Sequence, residues 1–428
     1  MNQSKYLYKL FYKTLTYLFY PIAFFLVLII RLISPFFLIR WNCNISTRIG
    51  HYVENMNIYL CENELGLNKV NIKSLEIFYD REKICNVQIQ KMLHRKCFYL
   101  PWFIMHPINT LNEFYFDKIL DSKRKHELGY YRKIGFVEKN KIAPLSSFDN
   151  LNSQDKASLQ LSFTNDEIRE GNEYLKTINI NPDEKFISII LRDENYLKNS
   201  YKKINFAHHT HRNTDIKYFE RTISYLIEKK SKVMIFGCER KKLTNLILKN
   251  SKNVYFYDDF DHKNDFINIF LLYKSKFVIS SITGLDSVPT AFKIPVIEVG
   301  VVPFVLQRTY SNLFLSIFKK YYSKTLNRYL TTSEIFENEV FNIHGDSYLM
   351  EEIELMHPSE EDILSACKEM MSKLDHNFTE NNVNKQNQIK FKKLYSHYIE
   401  KYYPQRAVIE NKGTVAEDFL KKNEFFLK

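Results

Sequence analysis

Lys276–Gly300 reads KFVISSITGLDSVPTAFKIPVIEVG. An apolar, β-branched run (KFVISS) meets a Ser/Thr/Gly turn. A short stretch containing Pro289 follows, and then a second apolar run, IPVIEV (Ile294–Val299). Such unbroken apolar runs suit strands covered by helices on both faces, which is the situation inside a parallel sheet. Working back toward the N-terminus, the same alternation recurs. Asp265–Tyr273 has helical spacing and NVYFY (Asn253–Tyr257) reads as a strand. Arg240–Asn250 reads as a helix, KVMIFG (Lys232–Gly237) as a strand, Ile216–Glu228 as an amphipathic helix, and KFISIIL (Lys185–Leu191) as a strand. Four strand–helix pairs and a closing strand predict a doubly wound parallel sheet, an α/β fold.

Outside this block the pattern is looser. Ser46–Gly50 reads as a loop opening a helix from His51 to Glu64. SLEIFY (Ser74–Tyr79) and CFYLPW (Cys97–Trp102) read as strands, and a helix is expected over Asn165–Leu175 with Asn165 as its cap. After Gly300, the aromatic, basic stretch Phe304–Tyr322 carries no clear period. Ser359 is placed to cap a helix running to Met371. Asp375–Gln388 reads as a polar linker, Ile389–Tyr403 as a helix, and the stretch from Gln405 as partly disordered. The domains expected are 1–40, 41–175, 176–375 and 376–428.

The N-terminus is different in kind. Thr14–Ile30 (TLTYLFYPIAFFLVLII) has no charge, Lys5, Lys9 and Lys13 precede it, and Arg31 and Arg40 flank LISPFFLI. The run is a little short for a span of about 20 residues. It is apolar all round and lacks a small-residue cleavage site. We expect a monotopic, re-entrant or interfacial membrane anchor, kinked at Pro21 and Pro35, with the rest of the chain on the cytoplasmic face of the inner membrane; a buried core helix is the other reading.

Composition narrows the function classes. The chain has 428 residues, enough for two or three domains, and 45% apolar residues, enough for a sizeable core. Lys and Arg number 61 against 49 Asp and Glu, a net charge of +12. The basic residues are scattered, which suits a lipid surface or an anionic substrate better than a nucleic-acid partner. The six cysteines include no C-x-x-C pair, so neither a disulfide framework nor a zinc ribbon is indicated. No dinucleotide fingerprint and no P-loop occur.

Chemistry in a parallel sheet belongs at the carboxyl ends of its strands. There the first strand ends in Leu191-Arg192-Asp193-Glu194. Arg192 is placed to hold a phosphate oxygen and Asp193 or Glu194 to act as base or to orient one, or the stretch forms a loop ion pair. AHHTHRNTDI (Ala207–Ile216) offers His209, His211, Arg212, Asn213 and Thr214 as an anion-binding, proton-handling loop; a metal site or a structural loop are the other readings. Gly237 closes the second strand. Ser281, Thr283, Gly284, Asp286 and Ser287 suggest a helix N-terminus that seats a diphosphate, with Asp286 either facing the ligand or opposing the helix dipole. In the N-terminal part, Arg48, Gly50, His51 and Glu54 repeat the loop–glycine–helix theme. They are acceptor-side candidates, or polar residues of a helix start in solvent.

Four blocks, RIGHYVENMNIYL (Arg48–Leu60), LRDENYL (Leu191–Leu197), HHTHRNTDIKYF (His208–Phe219) and SSITGLDSVPTAFKIPVI (Ser280–Ile297), resemble a family of bacterial glycosyltransferases associated with surface-polysaccharide synthesis. The last block is more remotely similar to the donor-site turn of heptosyltransferases. The resemblance implies a GT-B-like architecture of two Rossmann-like domains with a parallel sheet in each. It further implies a nucleotide-sugar donor in the C-terminal domain, a glycan or lipid-linked sugar as acceptor, and no obligatory metal or other cofactor. His51, Asp193 and His211 are then the candidate bases. Asp286 does not stand in the D-x-G order of heptosyltransferases, so their roles are not carried over. A nucleotide-sugar epimerase and a non-catalytic, membrane-tethered sugar-binding protein are the rival readings.

Overall fold

Seven parallel strands form the largest sheet of the computed structural model, which describes residues 3–81, 83–119, 148–192, 207–343 and 347–428; their order is β12 (Thr414–Val415), β8 (Phe314–Phe318), β7 (Val296–Val301), β6 (Ser275–Ser280), β3 (Phe186–Ile190), β4 (Val233–Phe236) and β5 (Val254–Phe256). The chain divides into two compact units, Met1–Phe148 and Asp149–Lys428.

The first unit opens with helix α1 (Gln3–Ile33), which runs through Pro21 without ending. Leu10–Ile33 is, among the described residues, the one helix long and apolar enough to cross a membrane, with a mean hydropathy of 2.1. The chain leaves it through the turn Ser34–Phe36 and enters β1 (Phe37–Asn44). The apolar stretch after Arg31 therefore does not prolong the anchor. Leu38 and Trp41 are core residues, and Arg40, expected as a flanking interfacial charge, is buried in an ion pair with Glu76. The cause is register: β1 pairs in parallel with β2 (Lys73–Asp80), Arg40 opposite Glu76 and Asn44 opposite Asp80. Helix α2 (Ile49–Glu64) follows β1, and α3 (Val87–His94), capped by Asn86, follows β2. The strand expected at Cys97–Trp102 shrinks to one bridge between Tyr99 and Phe78. Pro101 has no N–H for a ladder and a backbone suited to a helix start, so α4 (Trp102–Leu111) begins at once.

In the second unit the strands are β3 (Phe186–Ile190), β4 (Val233–Phe236), β5 (Val254–Phe256), β6 (Ser275–Ser280), β7 (Val296–Val301) and β8 (Phe314–Phe318). Every residue of β3, β4, β7 and β8 is buried, as helices on both faces require. The helix Asn165–Thr177 belongs to this unit. Thr164 rather than Asn165 is its cap, and Gly171 lets the Phe270 ring lie against it: a Cβ there would stand 2.3 Å from the ring. Arg240–Asn250 is not one helix. The carboxylate of Glu220 takes the N–H groups of Thr244 and Asn245, and only the single turn Leu246–Lys249 remains after it.

The Phe304–Tyr322 stretch hides β8 and β9 (Lys320–Ser323). β9 joins β10 (Arg328–Tyr329) and β11 (Ile353–Met356) in a small antiparallel sheet. The C-terminal region is not a loose tail. Helix Asn382–Tyr402 packs Phe391 and Tyr395 into the main core, and β12 (Thr414–Val415) adds to the edge of β8. Its Asn-rich composition misleads because asparagines here are structural: Asn381 caps the helix, and the Asn150 amide binds the carbonyls of Gln405 and Ala407.

Candidate functional site

The strand order places β3 and β6 side by side at the centre, and the chain runs outward from them in opposite directions. A doubly wound sheet offers its ligand crevice at this point, where the connections diverge. The residues leaving β3 and β6 are Leu191-Arg192 and Ser281 to Asp286. They are joined directly. The N–H of Arg192 donates to Ser281 Oγ at 2.9 Å, and the N–H of Ser281 donates to the Ile190 carbonyl at 3.0 Å. Gly237, at the end of β4, has φ +73°, and a Cβ there would stand 2.3 Å from the Leu191 carbonyl oxygen. Its close approach is to the chain that carries Arg192.

The turn after β6 is built from its own side chains. Thr283 and Asp286 form a capping box: Asp286 Oδ2 accepts from the Thr283 N–H at 3.0 Å, and Thr283 Oγ1 from the Leu285 N–H at 3.2 Å. Gly284–Asp286 is a 3-10 turn and the helix behind it, Ser287–Ala291, is short. The expected seat of helix N–H groups is thus partly occupied from within. Asp286 is fully buried: Ser280 Oγ donates to it at 2.9 Å and Arg308 binds its other oxygen at 2.6 Å. The sequence left Asp286 either facing the ligand or opposing the helix dipole; in the fold both of its carboxylate oxygens bond within the protein. Ser287 is buried and its carbonyl accepts from Thr290 Oγ1.

Arg308 also binds Glu298, at 3.0 Å, and Ser316 Oγ donates to the same carboxylate at 2.8 Å. Burial pushes Glu298 up to about 7, against the pull of Arg308. Sequence reading passed over this pair, although one signal was present. A lone carboxylate in the middle of IPVIEV demands a cation, since an unpaired buried charge is prohibitively costly.

The cationic side of the site comes from three separate segments. Arg192 follows β3. Arg212 closes the 3-10 turn Ala207–Arg212, and Arg406 lies on the return of the C-terminal segment. Burial, then the charges of Arg192 and Arg406, pull Arg212 down to about 10, while Asp286 acts the other way. Burial lowers Arg192 too, again opposed by Asp286. Burial holds Arg406 near 10 as well; its Nη1 donates to the Val305 carbonyl at 3.1 Å. The carboxylate that Arg192 and Arg212 both sense, Asp286, is already bound by Arg308. The buried Nε of Arg212 has no hydrogen-bond partner among the described residues. Like charges gathered at a strand-end crevice with an unused donor describe a place for an anion.

The loop bearing Arg212 is fastened from behind. Lys319, buried at the end of β8 and pushed down to about 8 by that burial, donates to the His211 carbonyl at 2.6 Å. His357 meets Thr214 Oγ1 at 3.2 Å and stacks on Tyr218, and burial pushes it down to about 4. His211 is itself buried, and the Asn213 N–H closes a turn onto the Thr210 carbonyl. Asp193 and the side chain of His209 lie outside the described residues. No three His, Cys, Asp or Glu side chains among the described residues are grouped to hold a metal ion.

The remaining candidates belong to the first unit. Arg48 precedes α2 and is exposed, Gly50 lies in the first turn, and Glu54 is buried on the helix. Burial, then the charges of Arg48 and Arg81, push His51 below the ordinary histidine range.

No protein-family model and no curated protein matches the chain. Among solved structures it is similar to a glycosyl transferase family 9 protein from Veillonella parvula, at 8% identity and a TM-score of 0.45, over 79% of this chain and 97% of that one. It is also similar to the E. coli ADP-heptose LPS heptosyltransferase II, at 10% identity and a TM-score of 0.40, over 65% of this chain and 89% of that one. A third likeness is to the UDP-GlcNAc 2-epimerase of Methanocaldococcus jannaschii, at 11% identity and a TM-score of 0.35, over 65% and 88%.

Proposed function

We propose that the second unit binds the diphosphate of a nucleotide sugar and that the protein is a glycosyltransferase, passing the sugar to a growing surface glycan or a lipid-linked acceptor. The observation that carries this reading is the gathering of Arg192, Arg212 and Arg406 at the carboxyl ends of the central strands, with the Arg212 Nε unused. In glycosyl transfer the bond from the anomeric carbon to a phosphate oxygen breaks, and the nucleoside diphosphate leaves with the electron pair. Guanidinium groups already fixed at that place stabilise the developing charge without reorganising, the work a divalent cation does in other designs.

The membrane enters through α1. Its Phe19, Ala23, Leu26, Val27 and Ile30 pack with Trp41, Ile77, Met105 and Ile108 of the first unit. Leu18, Ile22, Phe25, Ile29 and Leu32 line an exposed face. The stretch from Leu10 to this packed part covers only about 13 Å at about 1.5 Å per residue, well short of the roughly 30 Å hydrocarbon core. In this reading α1 lies in the plane of the cytoplasmic leaflet, Lys13 reaching the headgroups, where a lipid-linked acceptor is found.

The test is a thermal-shift screen of the full-length protein in nanodiscs against nucleoside diphosphates and nucleotide sugars. A ligand at 100 times its Kd adds about 2.7 kcal/mol. Stabilisation by one nucleoside diphosphate family, lost in Arg212→Met, is expected; no response to any of them overturns the reading. Release of free nucleoside diphosphate in the presence of membranes distinguishes a transferase from an epimerase, which returns the nucleotide sugar intact, and from a binding protein, which turns nothing over.

A further inference from the structure

Leu246 and Ile247 stand out from the surface of the second unit. They are 69% and 82% exposed, the two most exposed large apolar side chains among the described residues of that unit. Leu248, the next residue, is buried in the core. One exposed leucine is ordinary on a protein surface. Two large apolar residues in succession, displayed by a built turn, call for a partner.

The turn Leu246–Lys249 is fixed at both ends. Asn245 caps it, its Oδ1 accepting from the N–H groups of Ile247 and Leu248 at 3.0 and 3.3 Å. Glu220 Oε1 accepts from the N–H groups of Thr244 and Asn245 at 2.8 and 3.1 Å, and from Thr244 Oγ1 at 2.7 Å. At the other end Arg240 Nη1 donates to the Lys249 carbonyl at 2.8 Å, and its guanidinium lies over the Phe256 ring at 4.7 Å. A lone helical turn does not hold in water, because nucleation fixes more dihedrals than one hydrogen bond compensates. These bonds and the buried Leu248 supply the constraint.

The flanks are basic. Residues 240–252 carry Arg240, Lys241, Lys242, Lys249 and Lys252 and no acidic residue. Lys241, Lys242 and Lys252 are exposed. Arg240 binds Asp259 at 2.6 Å and Lys241 meets Glu239, so two neighbouring acids are matched. The exposed Asp258 and Asp261 come after β5, past the far end of that strand from the turn.

We propose that this turn is a membrane contact of the second unit. Leu246 and Ile247 enter the boundary between headgroups and acyl chains of an anionic phospholipid bilayer, and the lysines around them meet its phosphates. Charge selects the occupant: an apolar protein groove has no use for the lysines, whereas an anionic bilayer takes both. The patch is too small to hold the chain alone, and stable attachment takes two signals. α1 is the other, so the proposal rests on the membrane reading of α1 and is independent of the sugar chemistry. No fixed arrangement of the two units is required, because a chain held at the surface by α1 presents the patch to lipid at a raised effective concentration.

The test uses full-length protein tethered through a His tag to vesicles by nickel-chelating lipid, which examines the patch whether or not α1 binds by itself. Ile247→Trp reports depth: the vesicles carry brominated acyl chains, and the quenching of Trp41 and Trp102 in wild type is subtracted. Quenching is expected on mixed phosphatidylglycerol and phosphatidylcholine vesicles and not on phosphatidylcholine alone. Val383→Trp, at another exposed apolar position of the unit, should stay unquenched. An unquenched Ile247→Trp, or equal quenching on phosphatidylcholine, overturns the proposal. In untethered protein, Leu246→Asn with Ile247→Asn should weaken binding to the mixed vesicles about tenfold and leave the melting temperature unchanged. Self-association of wild type that the Asn pair abolishes, together with an unquenched Ile247→Trp, makes the turn a contact with a second copy and removes the lipid assignment. Untethered wild type that does not float defeats the reading of α1, and the tethered Ile247→Trp still decides the patch.

Discussion

The N–H of Arg192 donates to Ser281 Oγ at 2.9 Å, joining the ends of two strands that are neighbours in space and 89 positions apart in the chain. This bond fixes where Arg192 leaves β3, and hence where its guanidinium meets Arg212. Ser281→Ala should leave the buried N–H without an acceptor and cost about 1–3 kcal/mol. Urea denaturation measures that loss. A titration with the stabilising nucleoside diphosphate should show weaker binding than the stability change alone explains.

Arg212 sits in a cluster of like charge whose burial already disfavours ionisation. Arg212→Met should therefore fold at least as stably as wild type and lose nucleoside diphosphate binding by 100-fold or more, a separation that thermal melts with and without ligand make visible. Arg212→Lys should not recover it, because an ammonium does not present the planar fork that a phosphate takes up.

Arg308 is the cation for two buried carboxylates, Asp286 and Glu298. Breaking a buried pair by removing one partner costs about 3–5 kcal/mol. Arg308→Met is expected to reach that range in chemical denaturation, and Glu298→Gln placed in the same chain should recover part of it.

Two buried groups give opposite pH slopes. Glu298 has its folded pKa raised to about 7, so its protonated form is favoured in the fold. Its contribution to stability is fully present below the ordinary glutamate value and is lost as pH rises toward 7. His357, lowered to about 4, is favoured neutral: its contribution is present above the ordinary histidine value and is lost as pH falls toward 4. Stability between pH 4 and 7 should thus rise more steeply with pH in Glu298→Gln and more weakly, or with reversed slope, in His357→Gln. Parallel curves for the two variants would contradict this.

On α1, neighbouring faces should respond differently to charge. Leu18→Glu and Phe25→Glu lie on the exposed face and should abolish flotation with anionic vesicles without lowering the melting temperature. Val27 is buried against the first unit, and Val27→Glu should instead unfold that unit. A tag at the N-terminus should be accessible on the same side of the vesicle as the C-terminus.

Much of the architecture was legible because strand and helix periods are local properties. The apolar runs marking β3 to β7 stand out by themselves, and so does the Ser359 cap. The strand ends drew attention to Arg192 and Ser281, which the fold joins by a hydrogen bond. What the chain alone did not disclose are the pairings between residues remote in sequence. β8 is hidden inside an aromatic stretch because burial on both faces leaves no alternation to read. Arg40 resembles a membrane flank until its register opposite Glu76 is known. Asp286 reads equally as a ligand contact or a dipole partner until Arg308 closes on it. Arg406 enters the site only because the C-terminal helix packs back on the core. Each of these depends on which surfaces the folded chain brings together, and local spacing carries no record of that.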